Sequence, residues 1–287
     1  MNSPRLKIAI QKSGRLLEDS LALLKECGIG VDNGKDQLKA SARNFPLDIF
    51  YLRNSDIPQY IEDGVAHIGI IGENTLVESG KDLHIAQKLG FSKCRLSVAV
   101  PKGTHYFGPD YLIGKRIATS YPHTLKMFLE RHHIEAEIHL ITGSVEIAPN
   151  IGLADAVCDL VSSGSTLFQN NLEEKDVLLH SEACLVTNKQ LSPEIQDILD
   201  QLLFRMHSVL EARKNRYLLM NAPNDKIAEI IAILPGMKSP TVMPLATEGW
   251  SSIHTVISES RFWDIISQLK TAGAQGILVI PIEKMIL

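Results

Sequence analysis

From Leu6 to about Asn188 short β-branched or apolar runs alternate with stretches of helical periodicity, which restricts the chain to layered α/β architectures with largely parallel strands. Residues 6–10 form the first expected strand. After it, Leu16, Leu17, Leu21 and Leu24 fall on one helical face that stops at Cys27-Gly28, where glycine suits a helix C-cap. Residues 67–71, 96–100, 116–119, 138–141 and 156–161 are further expected strands, each bounded by Gly, Pro or Ser. Ser192-Pro193-Glu194 then supplies an N-cap, a proline at the first helical position and an acidic first turn. The helix it opens runs through Ile198, Leu202, Met206 and Val209 and ends near Asn215. Beyond it the order changes to strand 217–220, helix 225–234, strands 241–245 and 252–257, helix 259–272 and strand 276–280. This βαββαβ order is the ferredoxin-like arrangement, and it sets a domain boundary near Arg213.

With 287 residues, 45% hydrophobic and 22% charged, the chain has room for two or three domains with buried cores. Its longest apolar runs, such as residues 277–282, are too short to cross a bilayer, and no apolar signal core follows Met1-Asn2-Ser3-Pro4, so a cytoplasmic location is expected. Cys27, Cys94, Cys158 and Cys184 lack the paired spacing of a zinc knuckle or disulfide framework and read as reduced thiols. A net charge of -4 gives no general attraction for nucleic acid, so affinity for a polyanion must come from local sites.

Ligands of open α/β sheets bind beyond the carboxyl ends of strands, where helix N-termini offer backbone N–H groups to anions. Four junctions qualify. In Asp159-Leu160-Val161-Ser162-Ser163-Gly164-Ser165-Thr166 a strand runs into hydroxyls around a glycine, which lets N–H groups converge on a phosphate while Asp159 meets sugar hydroxyls or a cation; a turn in which Ser163 or Ser165 merely caps the next helix fits the spacing equally. In Gln11-Lys12-Ser13-Gly14-Arg15 two cations stand where a helix dipole disfavours them, a conflict that a bound anion or simple solvation would resolve. Thr119-Ser120-Tyr121-Pro122 offers a ring that can stack on a base or pack on its neighbours. Gly72-Glu73-Asn74 offers acceptors and donors to an exocyclic amine, or is a plain loop.

Several chemistries lose support. There is no Gly-x-Gly-x-x-Gly, no Walker-type Gly-Lys-Ser, no His-Glu-x-x-His and no nucleophile elbow, and His132 and His133 are adjacent and cannot face one metal from a helix.

Taken together, Gln11 to Arg15, Gly72-Glu73-Asn74, Cys94-Arg95-Leu96, Ile117 to Pro122, Gly143-Ser144-Val145-Glu146 and Asp159 to Thr166 resemble the ATP phosphoribosyltransferase family. Ser239-Pro240-Thr241 and Pro281-Ile282-Glu283-Lys284 resemble the regulatory domain of its long, histidine-inhibited form. The resemblance implies two catalytic lobes of the periplasmic-binding-protein type (type II): lobe I is residues 1–93 with 180–212 and lobe II is residues 94–179. An ACT-like regulatory domain, residues 213–287, would follow. It further implies attack of the adenine N1 of ATP on the anomeric carbon of phosphoribosyl pyrophosphate, releasing pyrophosphate, as the first step of L-histidine biosynthesis.

By the same resemblance Ser162, Ser163, Gly164, Ser165 and Thr166 hold the 5′-phosphate, and Asp159 with Glu146 and Asp155 the ribose hydroxyls. Lys12 and Arg15 act on the pyrophosphate, and Glu73, Asn74, Arg95 and Tyr121 receive ATP. Magnesium (Mg2+) rides on substrate phosphates, with no dedicated protein metal site. The inhibitor histidine is implied near Asn221, Met237, Ser239 and Thr241, although Asn221 stands where some relatives have an acidic or imidazole group. Ser163 and Ser165 depart from the commoner pattern of threonine or a small residue. Homo-oligomers, dimers assembling into hexamers, are implied as well. A prephenate dehydratase-like ACT enzyme and a small-molecule sensing module are the competing readings; the first lacks its threonine-rich motif here and the second an output domain.

Overall fold

Unbroken apolar runs become strands buried on both faces, and the rest of the architecture follows from how those strands are covered. The computed structural model describes residues 3–31, 38–234 and 239–287. They form two compact units, Met1–Lys25 with Ile29–Leu199, and Glu26–Gly28 with Asp200–Leu287.

The first unit opens with β1 (Leu6–Gln11), α1 (Arg15–Glu26), β2 (Lys39–Ser41), β3 (Leu47–Leu52), α2 (Ile57–Glu62), β4 (Ile68–Gly72), α3 (Glu73–Ser79) and β5 (His84–Lys88). It continues with β6 (Cys94–Pro101), β7 (Arg116–Thr119), α4 (Pro122–Arg131), β8 (Glu137–Leu140), β9 (Ala156–Val161), α5 (Ser165–Gln169), β10 (Leu172–Ser181), β11 (Ala183–Thr187) and the start of α6 (Pro193–Lys214). One sheet has the order β2-β3-β1-β4-β11-β5 and the other β8-β7-β9-β6-β10.

The two sheets share one plan. In the first, β3, β1 and β4 are parallel, and β11 enters antiparallel between β4 and β5. In the second, β8, β7 and β9 are parallel, and β6 enters antiparallel between β9 and β10. The inserted strand is in each case the one that has just crossed from the other sheet, between β5 and β6 on the way out and between β10 and β11 on the way back. This doubled order, with two crossings, is the type II binding-protein plan. Ile8, Ala9 and Ile10 of β1 and Ala156, Val157 and Cys158 of β9 are wholly buried, as strands covered by helices on both faces must be.

The glycine expected to end the first helix does so: Gly28 has φ +73, and the Ile29 N–H returns to the Leu24 carbonyl at 2.9 Å. Strands β2, β3, β5, β10 and β11 are not among those expected from the sequence. In β10, Leu-Glu-Glu-Lys-Asp-Val-Leu-Leu-His-Ser, register shifts after Glu174 and Val177 break the period-2 pattern by which an edge strand is read.

The second unit contains most of α6, then β12 (Asn215–Pro223), α7 (Ile227–Ile233), β13 (Thr241–Pro244), β14 (Trp250–Ser258), α8 (Glu259–Thr271) and β15 (Gln275–Pro281). The order β13-β14-β12-β15, with every pairing antiparallel, is that of the ferredoxin-like fold. Leu218, Met220 and Ala222 of β12, Ile253 and Ile257 of β14, Ile230 of α7 and Phe262, Ile265 and Leu269 of α8 form its core. The division between the units falls inside α6, between Leu199 and Asp200, whereas the change of sequence pattern comes at the end of that helix. Among the described residues no helix is long and apolar enough to cross a membrane.

Candidate active site

Strand β9 ends in a loop whose shape depends on Gly164. With φ +80 this residue occupies the left-handed region, while a Cβ there would come no nearer than 4.0 Å to Val161, so glycine is needed for its backbone and not for space. The loop brings the Ser163 and Ser165 hydroxyls within 3.0 Å of each other and leaves Ser162 and Ser163, with Ser165 and Thr166 at the start of α5, exposed. These residues, with Gly164, line a cavity of about 570 Å³ together with Asp159, Glu146 and Arg15. Arg15 is the first residue of α1 and follows Gly14 at φ +85, so it comes from the first sheet's half of the unit while the loop comes from the second's.

Two carboxylates face this cavity. Burial holds the Asp159 carboxyl above the usual range and the charge of Glu146 adds to the effect, against a 2.8 Å bond from the Leu160 N–H that favours the anion. Neither is ion-paired among the described residues, so the pair suits sugar hydroxyls or a cation carried in by a ligand. Among the described residues no group of three or more His, Cys, Asp or Glu side chains is arranged to hold a metal ion.

The other expected residues are distributed unevenly. Asp155 is not brought into the cavity: its carboxylate accepts the Arg116 backbone N–H at 2.9 Å and the guanidinium at 3.1 and 3.2 Å, which holds it below the usual carboxylate range. Lys12 is exposed at the end of β1 and does not line the cavity, its N–H being held by the Leu52 carbonyl at 2.8 Å. Arg95 is clamped by both oxygens of Glu174 and donates to the Ser162 carbonyl at 3.3 Å, so its donors support the loop from behind. Glu73 pairs with Lys88 at 3.0 Å. Asn74 and Tyr121 do meet, the amide Nδ2 lying 3.5 Å from the phenol, whose pKa burial and the nearby Asp159 push up to about 12.

In the second unit Ser239 and Thr241 line a cavity of about 480 Å³ with Tyr217, His254 and Met285 to Leu287. Asn221 is not among its lining residues; its amide lies against Gly276. Met237 lies outside the described residues. Sequence reasoning missed the Tyr217 hydroxyl bonded to His254 Nδ1 at 2.8 Å and the Ser252 hydroxyl at 3.0 Å from the other ring nitrogen. Only strand parity, which sends Tyr217 and His254 to the face opposite Leu218 and Ile253, signals that pair.

Hydroxyls around a left-handed glycine, two carboxylates and an arginine lining one cavity suit a transferase that holds a phosphorylated sugar against a second substrate. Comparison with known proteins narrows that class. A family model described as ATP phosphoribosyltransferase matches residues 53–208, and one described as HisG, C-terminal domain, matches residues 212–284. An ATP phosphoribosyltransferase from Bacteroides fragilis is 56% identical over 98% of this chain and 100% of its own length. One from Cytophaga hutchinsonii is 56% identical over 98% of each. A solved ATP phosphoribosyl transferase (HisG:HisZ) complex from Thermotoga maritima has a chain 30% identical, with a TM-score of 0.64, covering 72% of this chain and 98% of that one. The chain belongs to the ATP phosphoribosyltransferase family.

Proposed function

We infer that the cavity of the first unit brings ATP and phosphoribosyl pyrophosphate together so that adenine N1 attacks the anomeric carbon. The new C–N bond forms as the C–O bond to pyrophosphate breaks, giving phosphoribosyl-ATP and pyrophosphate in the first step of L-histidine biosynthesis. The observation that carries this reading is the joint lining of one cavity by the 162–166 loop, Glu146, Asp159 and the Arg15 guanidinium.

On this reading the loop holds the 5′-phosphate, Asp159 and Glu146 accept hydrogen bonds from the ribose hydroxyls, and Arg15 supports charge as it develops on the leaving pyrophosphate, with the exposed Lys12 as the second cation of the same segment. Glu73, Asn74 and Tyr121 serve the adenine side, a reading supported by the 3.5 Å approach of Asn74 Nδ2 to the Tyr121 hydroxyl. Arg95 acts through the loop it braces. Mg2+ bound to substrate phosphates would neutralise leaving-group charge, and Asp159 and Glu146 are the carboxylates suited to face it.

Lobe I is residues 1–93 with 180–212, lobe II residues 94–179 and the regulatory domain residues 213–287; the shared plan of the two sheets supports the first two. We place inhibitory L-histidine around Ser239 and Thr241, the enzyme in the cytoplasm, and its assembly as dimers and hexamers of this chain.

The test is an absorbance assay for phosphoribosyl-ATP with purified protein, ATP, phosphoribosyl pyrophosphate and magnesium, repeated with L-histidine. Product suppressed by histidine is the expected result. Product that ignores histidine overturns the regulatory part, and no product at any magnesium concentration overturns the catalytic part.

A further inference from the structure

Helix α4 opens without a local cap. Tyr121 at its N-cap position makes no side-chain capping bond, and Pro122 has no N–H, so the first donors that need a partner are those of His123 and Thr124. Their partner is Glu78, which is 45 residues away from His123 in sequence and belongs to α3 beside the first sheet. One carboxylate oxygen accepts the His123 N–H at 2.8 Å; the other accepts the Thr124 N–H at 2.9 Å and the Thr124 hydroxyl at 2.7 Å. Thr124 is buried, so water cannot take over its two bonds without a shift of the helix, whereas the bond from His123 lies at the surface.

One turn earlier on the same face of α3, Asn74 reaches the Tyr121 hydroxyl at 3.5 Å and is itself fixed by Ser181, whose hydroxyl accepts the Asn74 N–H at 3.0 Å and donates to its side-chain oxygen at 2.9 Å. Ser181 is the last residue before the chain crosses back to the first sheet. A single helix face thus holds the start of α4, the tyrosine that precedes it and the return crossing.

We propose that Glu78 is a positioning residue for the transfer reaction: from one half of the unit it caps a helix of the other, and so fixes Tyr121 relative to the phosphate loop. This rests on the reading of Tyr121 as part of the ATP subsite. Because the carboxylate bridges three donors, its reach matters as well as its charge. Aspartate, one methylene shorter, keeps the favourable charge at the helix start but not the bridge.

Steady-state kinetics of Glu78→Ala, Glu78→Asp and Glu78→Gln test the proposal. The expected result is a KM for ATP raised about tenfold in the Ala and Asp variants, with Gln intermediate and the KM for phosphoribosyl pyrophosphate nearly unchanged. Aspartate that restores the parent KM, or losses of kcat with both KM values unchanged, would overturn it, since those describe a dipole effect and a smaller folded fraction. Thr124→Val, which removes only the hydroxyl, is expected to shift the same constant in the same direction by less. Tyr121→Phe and Tyr121→Ala test the underlying reading separately. Should they leave the KM for ATP unaltered, that subsite reading fails, and amide exchange of His123 and Thr124 decides the cap: faster exchange in Glu78→Ala supports it and unchanged exchange overturns it.

Discussion

Asp159 is a half-buried carboxyl whose ligand-binding role depends on its charge. Burial raises its folded pKa above the unfolded value, the bond from the Leu160 N–H opposes this, and the Glu146 charge adds to the rise. The sign follows: what the group contributes to stability is present at low pH and is lost as pH rises through the folded pKa. Accepting ribose hydroxyls needs the anion, so kcat/KM for phosphoribosyl pyrophosphate is expected to fall on an acid limb lying above the ordinary carboxylate range. Asp159→Asn should remove that limb and lower kcat/KM on the order of a hundredfold, read from initial rates across pH. At Gly164 the cost of a side chain is conformational. Gly164→Ala is expected to cost about 1 kcal/mol in a denaturant titration and to raise the KM for phosphoribosyl pyrophosphate while leaving that for ATP in place.

Elements differ in what holds them. At the β2–β3 edge Asp48, which burial alone would push up, is instead held below the usual range by bonds from Arg5 at 2.8 Å, from the Ser41 hydroxyl at 2.8 Å and from Lys39 at 3.3 Å. Its contribution is therefore present above the unfolded carboxylate pKa and is lost as pH falls through the lowered folded value, and Asp48→Asn should flatten the acid dependence of the urea midpoint. In the middle of the same sheet, Ile8→Ala removes a wholly buried side chain and should cost about 2–5 kcal/mol at any pH.

What the sequence reveals follows the same divide between local and distant causes. β1, β4 and β9 announce themselves because strands buried on both faces are predominantly apolar, and the 162–166 loop because serines around a glycine act on their own backbone. The bulged edge strand β10 carries no such period. Arg116 claiming Asp155 across 39 residues, Glu174 clamping Arg95 across 79 and Tyr217 meeting His254 across 37 are products of topology, which residue spacing does not encode.

At the scale of the whole molecule, the regulation proposed above would be a coupling between two binding events, and thermodynamics makes any such coupling reciprocal. If L-histidine weakens phosphoribosyl pyrophosphate binding by some factor, the substrate must weaken histidine binding by the same factor. Calorimetric titration of histidine with and without saturating phosphoribosyl pyrophosphate reads it directly. His254→Ala, which removes the imidazole held between Tyr217 and Ser252, is expected to raise the histidine concentration for half-inhibition while leaving uninhibited kcat near its original value.

The insertion of β11 between β4 and β5 also sets a schedule for birth on the ribosome. β5 has no neighbour in its sheet until a strand made roughly ninety-five residues later emerges to bridge it. At about 5–20 residues per second that gap lasts roughly 5–20 s, during which the β4 edge of the nascent N-terminal sheet stands open to chaperones. The C-terminal ferredoxin-like unit is contiguous from β12 to β15 and waits for nothing upstream.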